Sequence, residues 1–291
     1  MEDIMKSALT TVGFEITNHC NLKCIHCYEG NLGCNKHLSI DLIETIIKKV
    51  IPYSPKYFVL TGGEPFLHPD FIKIIKLLGE KYASYRFYIA SNGTLVSKEI
   101  ADILSKYDNI FIQISLDGIT EQTHNTQHGN SFTAVIHNID ILTNKIPHNR
   151  ISVQMTISKI NYRECIDVAE YAKKLKIDIR FQYVCMVGSA LKHQDMLYMS
   201  PVQKTATYLK LKQFSKDNPE MNIVAPKTLL SCSFEDLNTP ISMNIDINGE
   251  VVTCTCFDSS FSLGNIFTSS IDSILTSPKI KEIHDRVLRR K

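Results

Sequence analysis

Three cysteines within eight residues constrain this chain more than any other feature. Cys20, Cys24 and Cys27 stand in the spacing Cys-x3-Cys-x2-Cys. Thiols so close in sequence are close in space in any fold, so they need a shared purpose. A disulfide would use two and strand the third. Zinc usually takes four ligands, and the next cysteine, Cys34, falls outside common zinc spacings. An iron–sulfur cluster fits the set better, because soft thiolates suit iron and a cubane keeps one iron free of protein ligands. A structural zinc knuckle is the alternative reading.

Strand and helix patterns alternate around this loop. A strand over 10–17 runs into the cysteines, and a helix over 39–51 follows, with Ser39 as its cap and Ile43, Ile46, Ile47 and Val50 at helical spacing. Compact apolar runs predict further strands over 57–61, 85–90, 110–115, 150–157 and 177–184. Helical patterns lie between them, the first carrying Phe71, Ile74, Ile75 and Leu78 on one face. Six such units imply parallel β/α architecture. A closed eight-fold barrel takes about 250 residues, whereas these units end near residue 185, so an open six-unit barrel, a partial (β/α)6 TIM-like α/β fold, is expected. Beyond it, 201–214 reads as helix, and 241–246 and 250–253 as strands around the turn dipeptide Asn248-Gly249. Two closing helices are expected over 270–275 and 279–288. The expected division is a core over 1–190, a helical connection over 191–231 and a small extension over 232–291.

The chain has 291 residues, 44% of them hydrophobic and 21% charged, with a formal net charge of +2. That balance argues against a large electrostatic footprint for nucleic acid. No apolar run is long enough to span a bilayer, and the N-terminus lacks a signal-peptide apolar region. Nine cysteines, clustered and odd in number, read as intracellular and metal-binding, which points to the cytoplasm. The ten histidines show no pair at metal-ligand spacing on a predicted helix and read mostly as surface residues.

The cysteine spacing resembles that of the radical S-adenosylmethionine (SAM) superfamily, and Gly62-Gly63-Glu64-Pro65, one strand downstream, resembles that family's GGEP motif. Two glycines let backbone approach a ligand closely, and a carboxylate can pair with the ammonium of SAM. The resemblance implies a [4Fe–4S] cluster on Cys20, Cys24 and Cys27, SAM on its free iron, and a deoxyadenosyl radical that takes a substrate hydrogen. It also implies SAM contacts at Ser91 and Asn92 after the third strand, and at Ser115 and Asp117 after the fourth. Turn chemistry is the other reading of those positions. His26 stands where the family often has an aromatic residue, packing flat beside the cluster. His128 stands before Gly129, where an arginine is common.

Cys232, Cys254 and Cys256 form a second constellation, with Gly249 between the first two. With Gly264-Asn265-Ile266, it resembles the SPASM/twitch extension, which implies an auxiliary iron–sulfur cluster. No cysteine follows Cys256, so the shortened twitch form is the closer match. Three ligands leave the fourth position open to substrate or to a distant residue such as Cys185; alternatively Cys256 is a hydrogen donor. Cys165 reads as core packing.

The resemblance implies modification of a ribosomally made precursor peptide by crosslinking, oxidation or epimerisation. A dehydrogenase or cofactor-biosynthesis enzyme acting on a small molecule is the alternative, and a non-enzymatic metal protein a third. Flavodoxin or ferredoxin is the implied type of reductant. With nineteen residues before Cys20, leader recognition would fall to a separate protein or to the barrel itself.

Overall fold

The computed structural model describes residues 9–29, 35–226, 241–254 and 259–289. Its strands are β1 (Leu9–Thr17), β2 (Tyr57–Gly62), β3 (Arg86–Ser91), β4 (Ile110–Ser115), β5 (Ile151–Ile157), β6 (Asp178–Tyr183), β7 (Ile223–Val224), β8 (Ile241–Ile245) and β9 (Val251–Val252). They form one nine-stranded sheet in the order β7-β6-β5-β4-β3-β2-β1-β8-β9. Every pairing is parallel except that between β8 and β9. The sheet curls as a partial barrel and does not close.

Helices return the chain between parallel strands, as such pairing requires. They are α1 (Ile40–Val50), α2 (Phe71–Lys81), α3 (Lys98–Ser105), α4 (Glu121–His128), α5 (Phe132–Thr143) and α6 (Cys165–Leu175). Further along come α7 (Ser189–Lys192), α8 (Gln194–Leu197), α9 (Pro201–Asp217), α10 (Ile271–Leu275) and α11 (Lys279–Arg289). The apolar stripe of α1 becomes buried as Ile43, Ile46, Ile47 and Val50, and Ser39 accepts from the Leu42 amide to start it. Ser200 and Gln203 make a reciprocal capping box at α9. No helix among the described residues is long and apolar enough to cross a membrane.

Alternation along the strands divides the sheet into two faces. Ile110, Ile112 and Ile114 of β4, and Ile151, Val153 and Met155 of β5, are buried. The intervening residues are only half-buried and belong to the opposite, concave face. There Tyr88 stacks on Phe111 with centroids 4.8 Å apart, and Tyr57 meets Tyr88 edge-on. Further along the strands this face turns polar: Gln113 hydrogen-bonds Gln154, and Gln182 donates to Thr156.

Two features go beyond the six expected units. The short β7 extends the sheet past β6, and β8 joins the free edge of β1 in parallel. The hairpin expected around Asn248-Gly249 therefore forms, with its first strand continuing the barrel sheet. Helix α4 was likewise not expected. Thr120 caps it, but its buried positions are His124, Gln127 and His128, so it has no apolar stripe to betray it.

Candidate functional site

The strand β1 delivers the chain into the cysteine loop at the C-terminal end of the sheet, where parallel barrels gather their functional loops. The loop is fastened from three sides. Asn18 exchanges hydrogen bonds with Lys36, its amide donating to the Lys36 carbonyl and its side chain accepting from the Lys36 amide. The Ile25 amide donates to the Gln127 carbonyl at 3.0 Å, tying the loop to the end of α4. The Gly-Gly turn after β2 closes the third side: Gly63 N donates to Thr17 O and Glu64 N to His19 O, each at 2.7 Å.

This last contact explains the glycines. Gly62 has φ of +129°, a region L side chains rarely adopt. A Cβ on Gly63 would lie 2.5 Å from the His19 carbonyl carbon. The close approach these glycines permit is to the backbone of the cysteine loop itself.

Glu64 is held from inside the protein. The side chain is fully buried and already accepts from three groups: Phe66 N (3.2 Å) and Ser91 Oγ (2.9 Å) on one oxygen, Asn92 N (2.7 Å) on the other. Burial pushes the carboxyl up to about 7, opposed by these donors. The carboxylate thus locks the Gly-Gly turn to the end of β3. Pro65, also buried, starts a short 3-10 turn behind it. Ser91 is occupied by Glu64. Asn92 is held in a ring with Asn21 and Thr94, and its amide lies 3.9 Å from the Cys20 sulfur. Ser115 ends β4 half-buried on the concave face.

Cys20, Cys24 and Cys27 are brought together. Burial raises all three thiols: Cys27 to about 12, Cys24 furthest, with its neighbours Cys27 and Cys20 adding to the effect. Three cysteines carried by one short loop suit a metal centre, which binds them as thiolates. Donors already surround the sulfurs. Leu22 N lies 3.5 Å from Cys20 Sγ, and His128 Nδ1 lies 3.2 Å from Cys24 Sγ.

Asp117 and His26 are placed differently from the sequence reading. Asp117 is 1% exposed. Its Oδ1 accepts from Thr156 N at 2.6 Å, while its Oδ2 lies 2.9 Å from His128 Nε2 and 3.4 Å from His26 Nε2. It serves as the hub of a buried histidine cluster. His26 packs edge-on against His128, with its Nδ1 buried and unpartnered. His124 stacks on His128 at 4.5 Å, accepts from the Asp117 amide and reaches Ser131. Burial, foremost, pushes His128 and His26 down to about 4 and Asp117 up.

His124 and His128 thus form the histidine pair one helical turn apart that sequence reasoning did not find; the i, i+4 spacing was visible, but the helix carrying it was not. With His68, they are the buried histidines among the described residues. Cys165 is buried core, as expected. Cys254 lies half-buried beyond β9, and Cys185, beyond β6, is disulfide-bonded. Cys34, Cys232 and Cys256 fall outside the described residues, so the second constellation is not described as a site.

The family model described as the Radical SAM superfamily matches residues 14–172, and one described as an iron–sulfur cluster-binding domain, SPASM, matches 238–291. The antilisterial bacteriocin subtilosin biosynthesis protein AlbA of Bacillus subtilis is 27% identical over 282 residues, covering 93% of this chain and 60% of AlbA. The GTP 3′,8-cyclase of Synechocystis is 28% identical over 192 residues, covering 64% of this chain and 57% of the cyclase. The chain therefore spans less than two thirds of the length of either relative. Among solved structures, Streptococcus suis SuiB bound to its precursor peptide SuiA superposes with a TM-score of 0.80 at 16% identity, covering 96% of this chain and 67% of SuiB. That likeness concerns the fold alone.

Proposed function

On the footing that the chain belongs to the radical SAM superfamily, with a SPASM-type extension, we propose that it is a peptide-modifying enzyme. Membership implies a SAM-binding [4Fe–4S] cluster at the first site and auxiliary iron–sulfur in the extension. Cys20, Cys24 and Cys27 would hold the SAM-binding cluster, which when bound would supply one-electron reduction of SAM and so the means of abstracting a substrate hydrogen.

The chain's own residues divide the remaining work. The Gly62–Glu64 backbone and its bonds to Thr17 and His19 hold the cysteine loop and leave main-chain groups beside it for the aminoacyl end of SAM. The Glu64 carboxylate fixes that turn from behind. Ser115 offers a hydroxyl on the concave face, while Asn92 and its partners Asn21 and Thr94 build the wall next to Cys20. Cys232, Cys254 and Cys256 are our candidate auxiliary ligands, with Cys256 as the alternative hydrogen donor.

The observation that carries the peptide reading is the likeness to AlbA, a bacteriocin biosynthesis protein, across 93% of the chain. The cyclase match supports the small-molecule alternative but extends over only 64% of it. The concave face agrees with a peptide: Gln113, Gln154, Gln182 and Thr156 present paired donors and acceptors suited to amide groups. Reduction is assigned to a flavodoxin or ferredoxin. We place the enzyme in the cytoplasm. Residues 1–190 form the proposed core, 191–231 the connection and 232–291 the extension.

The test is incubation of the reconstituted enzyme, SAM and reductant with synthetic precursor peptides encoded beside its gene, read by mass spectrometry. A mass change of the peptide, coupled to deoxyadenosine release, is expected. Turnover of a small molecule with every such peptide left unchanged would overturn the peptide assignment.

A further inference from the structure

The radical SAM reading does not use the buried histidine cluster behind the cysteine loop. His128 is 4% exposed and lies between Cys24 and Asp117, with Nδ1 3.2 Å from the sulfur and Nε2 2.9 Å from the carboxyl oxygen. His124 stacks on one face of its ring, and His26 meets it edge-on. Asp117 is fixed in turn, with its other oxygen accepting from Thr156 N and its carbonyl accepting from Asn161 Nδ2. A ring so enclosed cannot turn its nitrogens elsewhere without breaking this packing.

The proton inventory then fixes one direction. A Cys24 bound to metal is a thiolate and can only accept. A bare imidazole lone pair facing it at 3.2 Å would repel it, so Nδ1 must carry a hydrogen. On the other side, one proton lies between Nε2 and Asp117, whichever of the two holds it. Both distributions place an N–H on the Cys24 sulfur. Cys20 receives only neutral amides, Leu22 N at 3.5 Å and Asn92 at 3.9 Å. Cys24 is distinguished by an imidazole backed by a carboxyl group.

We propose that His128, oriented by Asp117, is a positioning residue that donates a hydrogen bond from Nδ1 to the Cys24 sulfur and thereby raises the reduction potential of the cluster held on Cys20, Cys24 and Cys27. The reasoning is electrostatic. Reduction adds negative charge to the cluster and its thiolates, and a donor aimed at a sulfur stabilises the reduced state more than the oxidised one. The inference rests on the proposed function, because it requires a cluster on these cysteines.

The test uses two isosteric halves of the ring. His128→Asn places an amide nitrogen near the Nδ1 position and keeps a donor toward sulfur. His128→Gln reaches the Nε2 position and Asp117 but withdraws the donor. The reconstituted full chain is titrated without SAM, and the reduced cluster is followed by electron paramagnetic resonance. His128→Asn should hold the wild-type potential. His128→Gln, at equal iron content, should show about a tenfold lower ratio of reduced to oxidised cluster at fixed potential, a downward shift of 59 mV for a one-electron couple. A wild-type potential in His128→Gln, or equal shifts in both variants, would overturn the proposal. A second measurement needs no variant. Reduced wild type labelled with 15N-histidine should show a coupled imidazole nitrogen and an exchangeable proton at the cluster, and the absence of both would overturn it equally. Failure of the wild type to bind iron on the three cysteines would instead strike the radical SAM reading itself, so the two failures are distinct.

Discussion

Gly63→Ala is expected to dislodge the cysteine loop while leaving the barrel folded. The new Cβ would sit 2.5 Å from the His19 carbonyl carbon and closer still to its oxygen, where an ordinary contact begins at 3.4 Å, so the loop must retreat by about 1 Å or more. The obstacle is backbone, which has no rotamer to yield. A retreat of that size stretches both bonds across the turn, Gly63 N to Thr17 O and Glu64 N to His19 O, from 2.7 Å to beyond hydrogen-bonding range. Two such bonds contribute about 1 kcal/mol each. Overpacking adds about 1–3 kcal/mol. A loss of about 4 kcal/mol corresponds to a drop in melting temperature of about 6–7 °C in a chain of this size. The functional effect should be larger, since displacing reacting groups by about 1 Å costs on the order of 100-fold in rate. Thermal melting, iron content and deoxyadenosine release, measured on one preparation, check all three consequences. Wild-type values throughout would refute the claim that the glycines serve the cysteine loop.

Glu64→Gln separates two roles for one carboxylate. Because three internal donors already converge on it, an amide there sets N–H against N–H and should cost about 2 kcal/mol in a melt performed without SAM; an unchanged melt with weakened SAM binding would instead restore the ammonium contact. Glu15 offers a pH test. Burial, and then the hydrogen bond and charge of Glu29, push its carboxyl from 4.5 up to about 9, while the Ile247 amide opposes them. The folded chain therefore holds a proton that the unfolded chain releases, and stability should fall as pH rises from 4.5 through 9. Glu15→Gln should flatten that decline in melting temperature, and a slope as steep as wild type would exclude Glu15 as its source.

The six core strands were legible because each pairs a compact apolar run with a following helix, and the cysteine spacing located the site without any fold at all. What escaped reading is non-local or polar. The pairing of β8 with β1 joins residues more than two hundred apart, and nothing in the run 241–245 names its partner. Helix α4 buries histidines and a glutamine, so a search for apolar periodicity passes over it, and with it the pair His124 and His128. Glu64 and Asp117 were expected to face SAM. Their side chains nevertheless face inward, to Asn92 and Ser91 in one case and to Thr156 and His128 in the other, because a carboxylate beside several backbone amides is more stable satisfied than exposed.

The most direct test of the central claim is anaerobic iron and sulfide quantification with dithionite-dependent deoxyadenosine release, run beside a Cys20→Ala, Cys24→Ala, Cys27→Ala triple variant. About eight irons are expected in the wild type, since each cubane carries four. The variant should keep about four and release no deoxyadenosine. Unchanged iron in the variant, or a fully loaded wild type that releases none from SAM, would contradict the account.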